Sequence, residues 1–327
     1  MRLVMMGTGP FAVPTFERLL DSSHEVVALY TRPPQPFRGR GPAPVNPMRE
    51  VAERRQVPVF DPPDINAPET RQQLAACQAD LLVVCDYGQI LRSETLAVAR
   101  LGGINLHGSL LPRYRGAAPV QWAVFQGDSV TGVSVIHMTP QLDGGPILAT
   151  RTTPIGPDET AGELEPRLAR LGVDPVFEAL DQLAAWDGVA TLGVRQDPQL
   201  ATKAPRIRKQ DGAIDWCRPA RAIRQQVRAF QPWPGSYTTW PAARGGPLRL
   251  IITRVSEVEL PAEHMAAPPG TVVVSDGRRL VIATGQGGLA IEQLQPAGKR
   301  LLDVSEFLRG YPVPVGDQWN TESGSQG

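Results

Sequence analysis

The sequence is poor in the residues that build metal or disulfide frameworks: it has three cysteines and four histidines in 327 residues. Cys77, Cys85 and Cys217 form no CxxC pair and lie far from any histidine cluster, so neither a disulfide scaffold nor a zinc site is expected. A reducing cytoplasm is the compartment this composition suits. No run approaches the roughly 18 apolar residues of a membrane span. The N-terminal apolar stretch Leu3 to Met6 stops at Gly7-Thr8-Gly9-Pro10, so neither a targeting peptide nor a membrane anchor is expected. An excess of one charge is lacking too: 33 basic residues balance 33 acidic ones. That balance excludes a uniformly basic nucleic-acid coat, and any RNA contact has to be local.

What is present is enough for two globular domains. Glycine and proline together make about a fifth of the chain, so many tight turns are expected. The first half alternates short β-branched runs with helical patterns, which predicts an α/β fold: a doubly wound, mostly parallel sheet. Strands are expected at Leu3 to Met6, Glu25 to Thr31, Val57 to Phe60, Asp80 to Cys85, Gly102 to Leu106 and Gly132 to Met138. Helices are expected at Phe11 to Leu20, Pro47 to Arg55, Pro68 to Ala76 and Ala118 to Phe125. A longer helix from Gly162 to Trp186, broken at Pro175, closes this domain. The boundaries that follow are an α/β domain over 1–187, a linker over 188–204, a small OB-like β-barrel over 205–310 and a disordered polar tail over 311–327.

Gly7-Thr8-Gly9-Pro10-Phe11-Ala12 satisfies GxGxxA after the first strand and suggests a dinucleotide site. Two features argue against it. The second strand ends in Leu29-Tyr30-Thr31-Arg32 without the carboxylate that a ribose wants, and Pro10 removes a backbone N–H where pyrophosphate would sit. A tight strand-to-helix turn is the better reading.

The chemistry concentrates later. Asn105-Leu106-His107-Gly108-Ser109-Leu110-Leu111-Pro112 is followed by Arg115-Gly116 and then by Asp143-Gly144-Gly145. Asn105 and His107 are two apart on an extended segment and project to one side. They sit at a C-terminal strand end, the edge where open α/β sheets bind ligands, and Asp143 can reach the same edge. There it is expected to fix the His107 tautomer or favour the charged ring. Singly, each of the three reads as a turn or structural residue. His24, His137 and His264 have no such neighbourhood.

Together these residues resemble the motif of the formyltransferases that use 10-formyltetrahydrofolate, a group acting on glycinamide ribonucleotide, sugar nucleotides or methionyl-tRNA. Ala204-Pro205, Ile214-Asp215-Trp216, Arg228 through Gly235 and Gln295-Pro296-Ala297-Gly298-Lys299 resemble the carboxyl-terminal part of the methionyl-tRNA branch. The resemblance implies Asn105, His107 and Asp143 as catalytic residues and no metal. It implies a slot for the folate at Asp86, Tyr87, Gly88, Gln89, Ile90 and Leu91 together with Ser109, Leu110, Leu111 and Pro112. It further implies charged initiator methionyl-tRNA as partner, with a monomeric enzyme. The segment after the second strand carries Arg38 and Arg40, which the resemblance places at the tRNA acceptor end.

Lys203, Arg206, Arg208, Lys209, Arg221, Arg224 and Arg228 belong to a local basic stretch that can follow a phosphate backbone. Arg221, Arg224 and Arg228 recur at helical spacing and are expected to share a face opposite Ile223, Val227 and Phe230. A solvated charged face is the plainer meaning of such a stripe. Two other functions stay open from sequence: a sugar-nucleotide formyltransferase, against which the second domain speaks, and a non-catalytic RNA-binding protein, which would not need the Asn-His-Asp cluster.

Overall fold

The computed structural model describes residues 1–34, 45–241 and 246–320. Its first sheet has strands β1 (Arg2–Met6), β2 (Glu25–Tyr30), β3 (Val59–Phe60), β4 (Leu81–Val84) and β5 (Gly103–His107). After the short β6 (Arg115–Gly116) come β7 (Val130–His137) and β8 (Ile147–Pro154). The order is β3-β2-β1-β4-β5-β7-β8. The first five strands are parallel, whereas β7 pairs antiparallel with β5 and β8 antiparallel with β7. The mostly parallel sheet is therefore present, with β8 an element the sequence pattern did not announce. Past Ala149 its residues alternate between exposed and half-buried, so it offers no apolar run to detect.

Helices α1 (Val13–Leu20), α2 (Pro47–Arg54), α3 (Pro68–Ala76) and α4 (Ser93–Leu96) connect the parallel strands. Asn46 caps α2 by accepting from the backbone N–H groups of Met48 and Arg49, and Pro47 fills the first position, where no donor is needed. On one face of the sheet Val4, Met6, Leu82 and Val84 pack with Leu74, Tyr87, Leu91 and Leu96.

After α5 (Pro119–Gln126), the expected long helix is two: α6 (Ala161–Leu171) and α7 (Val173–Ala184). The break falls at Gly172 rather than Pro175, which lies in the first turn of α7 and needs no backbone donor there. The chain divides into two compact units, one of 1–119, 130–154 and 163–206, the other of 120–129, 155–162 and 207 onward. In the first unit, β9 (Lys203–Ala204) pairs with β6.

The second unit contains α8 (Ala220–Ala229) and an antiparallel sheet ordered β10 (Ser236–Trp240), β11 (Leu248–Val258), β14 (Gly288–Pro296), β13 (Leu280–Ala283), β12 (Val272–Ser275), with β15 (Leu302–Asp303) on β14 and α9 (Val304–Gly310) following. Its core gathers Ile223 and Val227 from α8, Leu250, Ile252, Ile282 and Leu294 from the strands, and Phe307 and Trp319. The expectation of a disordered tail from Tyr311 is corrected through residue 320. Thr239 and Asn320 exchange two backbone hydrogen bonds, Val272 N–H donates to Asp317, and Gly316 N–H donates to Val272. This segment thus pairs with both β10 and β12 and seals the sheet into a barrel. Trp319 is 1% exposed, and burying its indole contributes roughly 2–3 kcal/mol, less the cost of an Nε1 that is buried without a hydrogen-bond partner among the described residues. That burial explains why a segment of polar composition is ordered.

Candidate active site

Asn105 and His107 end β5 on one face, as their spacing requires. The His107 ring is buried, with Nε2 2.8 Å from the Tyr114 carbonyl. A carbonyl only accepts, so Nε2 carries a proton and Nδ1 is the nitrogen left for chemistry. Nδ1 faces Asp143, with Oδ2 3.8 Å away. Fixing the tautomer, the task expected of Asp143, is performed by the Tyr114 carbonyl instead. Asn105 Nδ2 stands 3.5 Å from Asp143 Oδ1.

Asp143 follows β7 with a backbone φ of 48°. Two residues hold it there. Gly116 N–H donates to Oδ2 at 2.8 Å, and Gln196 Nε2 donates to the carbonyls of Asp143 and Gly145 at 2.8 and 2.7 Å. Two glycines make this possible. A Cβ on Gly145 would lie 1.8 Å from the His137 carbonyl, and one on Gly116, at φ 126°, would lie 2.5 Å from that of Ala204.

The turn after β5 is self-contained. Ser109 Oγ donates to the Arg113 carbonyl, and the Ser134 hydroxyl accepts from Leu111 N–H and donates to the Ser109 carbonyl. Ser109 therefore organises the turn, while Leu110 and Pro112 stay partly accessible beside buried Leu111.

The segment after β4 lies one strand over, since Val84 pairs with Asn105. Leu91 and Tyr87 are buried, whereas Ile90 is 64% exposed. Gln89 spends its amide on Ile65 N–H and the Pro62 carbonyl, so it braces the loop. Gly88, at φ 80°, presents bare backbone. Solvent reaches one side of Asp86, yet the surrounding protein desolvates its carboxyl and the Glu165 carboxylate adds repulsion, pushing it up to about 6. Burial also raises Glu165. Thr8 ties the end of β1 to this segment: its N–H donates to the Asp86 carbonyl and its hydroxyl to that of Tyr87. The glycine turn that resembled a dinucleotide site is thus engaged in joining two strands.

The basic residues divide. Lys203 and Arg206 are exposed in the first unit, and Arg208, Lys209 and Arg221 in the second. The expected arginine face on α8 is corrected. Arg224 pairs with Asp158 at 2.6 Å and donates to the Pro157 carbonyl. Arg228 is 8% exposed and donates to Gln225 and to the carbonyls of Glu159 and Gly156. Burial, then the Arg224 charge, pulls its pKa down. These two guanidinium groups serve the fold because residues 155–159 lie within their reach. Arg38 and Arg40 lie outside the described residues. Sequence reasoning missed Gln196, which sits in what reads as a linker.

Among the described residues no group of His, Cys, Asp and Glu could hold a metal ion, and no helix is long and apolar enough to cross a membrane.

Comparison with known proteins gives a consistent result. The formyl transferase family matches residues 1–180 and the formyl transferase C-terminal domain residues 206–312. A methionyl-tRNA formyltransferase of Rhodopirellula baltica is 50% identical, covering 97% of this chain and 96% of its own. One of Methylococcus capsulatus is 42% identical over 96% and 98%. Among solved structures, the sugar 3N-formyl transferase WlaRD shares the fold at TM-score 0.62 and 14% identity, covering 92% of this chain and 99% of its own. HypX from Aquifex aeolicus, solved with tetrahydrofolic acid, does so at TM-score 0.60 and 16% identity; the match covers 98% of this chain and 51% of that one.

Proposed function

The chain belongs to the formyl transferase family, among its methionyl-tRNA formyltransferases, and we propose that Asn105, His107 and Asp143 are its formyl-transfer centre. The reaction moves the formyl group of 10-formyltetrahydrofolate to the amino group of methionine on charged initiator tRNA. A C–N bond forms at the amine, the bond between N10 and the formyl carbon breaks, and the proton lost by the amine ends on N10. The folate supplies the formyl carbon, its oxygen and N10.

The chain's own groups suit this chemistry. As the amine attacks, negative charge develops on the formyl oxygen, and the Asn105 amide N–H is a donor for it. Unprotonated Nδ1 of His107 takes the proton from the amine; protonated, it donates to that oxygen or returns the proton to N10. Asp143 Oδ2 faces Nδ1 at 3.8 Å and is held by Gly116 N–H, which sets a carboxylate at the edge of the reacting groups. Bare backbone at Gly88 and the apolar surface of Ile90 after β4, with the Leu110 to Pro112 turn after the neighbouring β5, are proposed to hold the flat pterin ring.

Exposed Lys203, Arg206, Arg208, Lys209 and Arg221 are proposed to meet tRNA phosphates. Arg38 and Arg40 take the acceptor end on family resemblance alone. The enzyme is taken to work in the cytoplasm, a reading supported by the translation role of its relatives, and as a monomer.

The observation that carries the site assignment is the convergence of His107 Nδ1, Asn105 Nδ2 and a shielded Asp143. The test of the function is formyl transfer from 10-formyltetrahydrofolate to charged initiator tRNA, run beside a nucleotide-linked amino sugar. Formylation of the amino sugar alone would transfer the assignment to the sugar-nucleotide branch.

A further inference from the structure

We infer that Gln196, oriented by Arg115, is the positioning residue that holds Asp143 in its working conformation. The inference rests on the role proposed for Asp143 and adds to it a group outside the motif.

Gln196 is saturated on both ends of its amide. Its Nε2 donates to the carbonyls of Asp143 and Gly145, straddling Gly144, at 2.8 and 2.7 Å. Its Oε1 accepts from Arg115 Nε and Nη2 at 3.1 and 2.6 Å. The bidentate guanidinium settles which end of the amide faces the loop, because arginine only donates. The neighbouring strand geometry fixes where this segment lies: Ile147 and Val194 exchange two backbone bonds at 2.8 Å.

Asp143 needs such a hold. It is a non-glycine residue at φ 48°, a conformation aspartate tolerates without favouring. The loop that carries it is poorly supported from one side, since Gln141, Gly144, Pro146 and Gln196 line a cavity of about 420 Å³. Packing does not lock the loop there; directional hydrogen bonds do. Arg115 also belongs to the two-residue strand whose Gly116 N–H binds Asp143 Oδ2, so one short segment secures the carboxylate directly and its backbone through Gln196.

The test is a double-mutant cycle in the full-length enzyme, read as kcat and donor KM. Gln196→Ala is expected to lower kcat about 10- to 100-fold, the scale of a misplaced catalytic group, with a far smaller change in KM for the folate. In an Asp143→Ala background the same substitution is expected to cost less than about twofold, because nothing remains to be positioned. Gln196→Glu keeps the shape and the Arg115 contact but cannot donate to the carbonyls. It should fold normally and lose as much kcat as the alanine variant, which keeps the test open if that variant fails to fold. Equal losses in both backgrounds, or near-normal kcat in Gln196→Glu, would overturn the inference. Should Asp143→Ala itself retain full turnover, the catalytic reading fails; a damaged Asp143→Ala beside an intact Gln196→Glu sinks only the clamp.

Discussion

The end of β5 and the arginine side of α8 both present polar side chains at regular spacing, and they end in opposite situations. Around β5 the side chains that the spacing brings together remain available: Nδ1 of His107 faces Asp143 Oδ2 at 3.8 Å, beyond hydrogen-bond distance, and Asn105 makes a long contact to the same carboxylate. On α8, Arg224 and Arg228 are spent on Asp158 and on backbone carbonyls, leaving Arg221 in solvent. The lesson is that spacing shows which groups share a face, while their freedom to act depends on what else comes to that face.

The strongest way to break this comparison is to remove the groups held available. Asn105→Ala, His107→Ala and Asp143→Ala are each expected to lower turnover about 100-fold or more at saturating substrates, with circular dichroism unchanged. Near-normal turnover in the His107 variant would remove that ring from the mechanism.

Next in size is the exposed basic set. Replacing Arg206, Arg208, Lys209 and Arg221 by alanine should weaken tRNA binding and flatten its dependence on salt, by about 0.7–0.9 in logarithmic slope for each phosphate no longer neutralised. Folate binding, if it uses the proposed apolar slot, should hold across the same salt series. Unchanged slopes in a filter-binding titration would mean these cations are only solvated surface.

Arg228 sharpens the contrast. Arg228→Ala removes the donors to the Gly156 and Glu159 carbonyls, and the expected cost is about 1–3 kcal/mol of stability in a urea titration. Its effect on the tRNA salt slope should be nil. A slope change equal to that of Arg221→Ala would return it to the RNA-binding set.

The smallest effect concerns Asp86. Its folded pKa, about 6, stands above the ordinary carboxylate value, so near pH 5 the folded state holds a proton that the unfolded state has released. The resulting penalty is absent below about pH 4, grows as pH rises through the folded pKa and is complete by about pH 7.5. Asp86→Asn should therefore raise Tm by about 1–3 °C at about pH 7.5 and not at about pH 4, solvent access keeping the gain small. A gain of the same size at both pH values would refute the electrostatic account.

How much of this was legible follows from where each partner sits in the chain. Asn105 and Asp143 are 38 positions apart and come from β5 and the loop just past its direct neighbour β7, so a local motif contained the cluster. The carbonyl that receives Arg228 Nη2 lies 72 positions away, in a segment with no pattern to announce it. Gln196 was hidden for the same reason, 53 positions past the loop it holds. Strands β8 and β10 escaped notice because threonines interrupt their apolar residues: β8 runs into Thr150-Arg151-Thr152-Thr153 past Ala149, and β10, though mostly buried, is only Ser236-Tyr237-Thr238-Thr239-Trp240. The ordering of Trp319 was masked by the polar residues around it.

The seal that residues 316–320 place between β10 and β12 has a consequence for the protein's biosynthesis. Ribosomes deliver the chain from its N-terminus, so the cluster of Asn105, His107 and Asp143 can assemble while both barrel edges still wait for residues 316–320. Until those emerge, β10 and β12 each offer unpaired backbone to any extended peptide nearby. A frameshift or premature stop shortly before Gly316 would therefore produce an adhesive polypeptide with Asn105, His107 and Asp143 already made, a burden for chaperones and proteases.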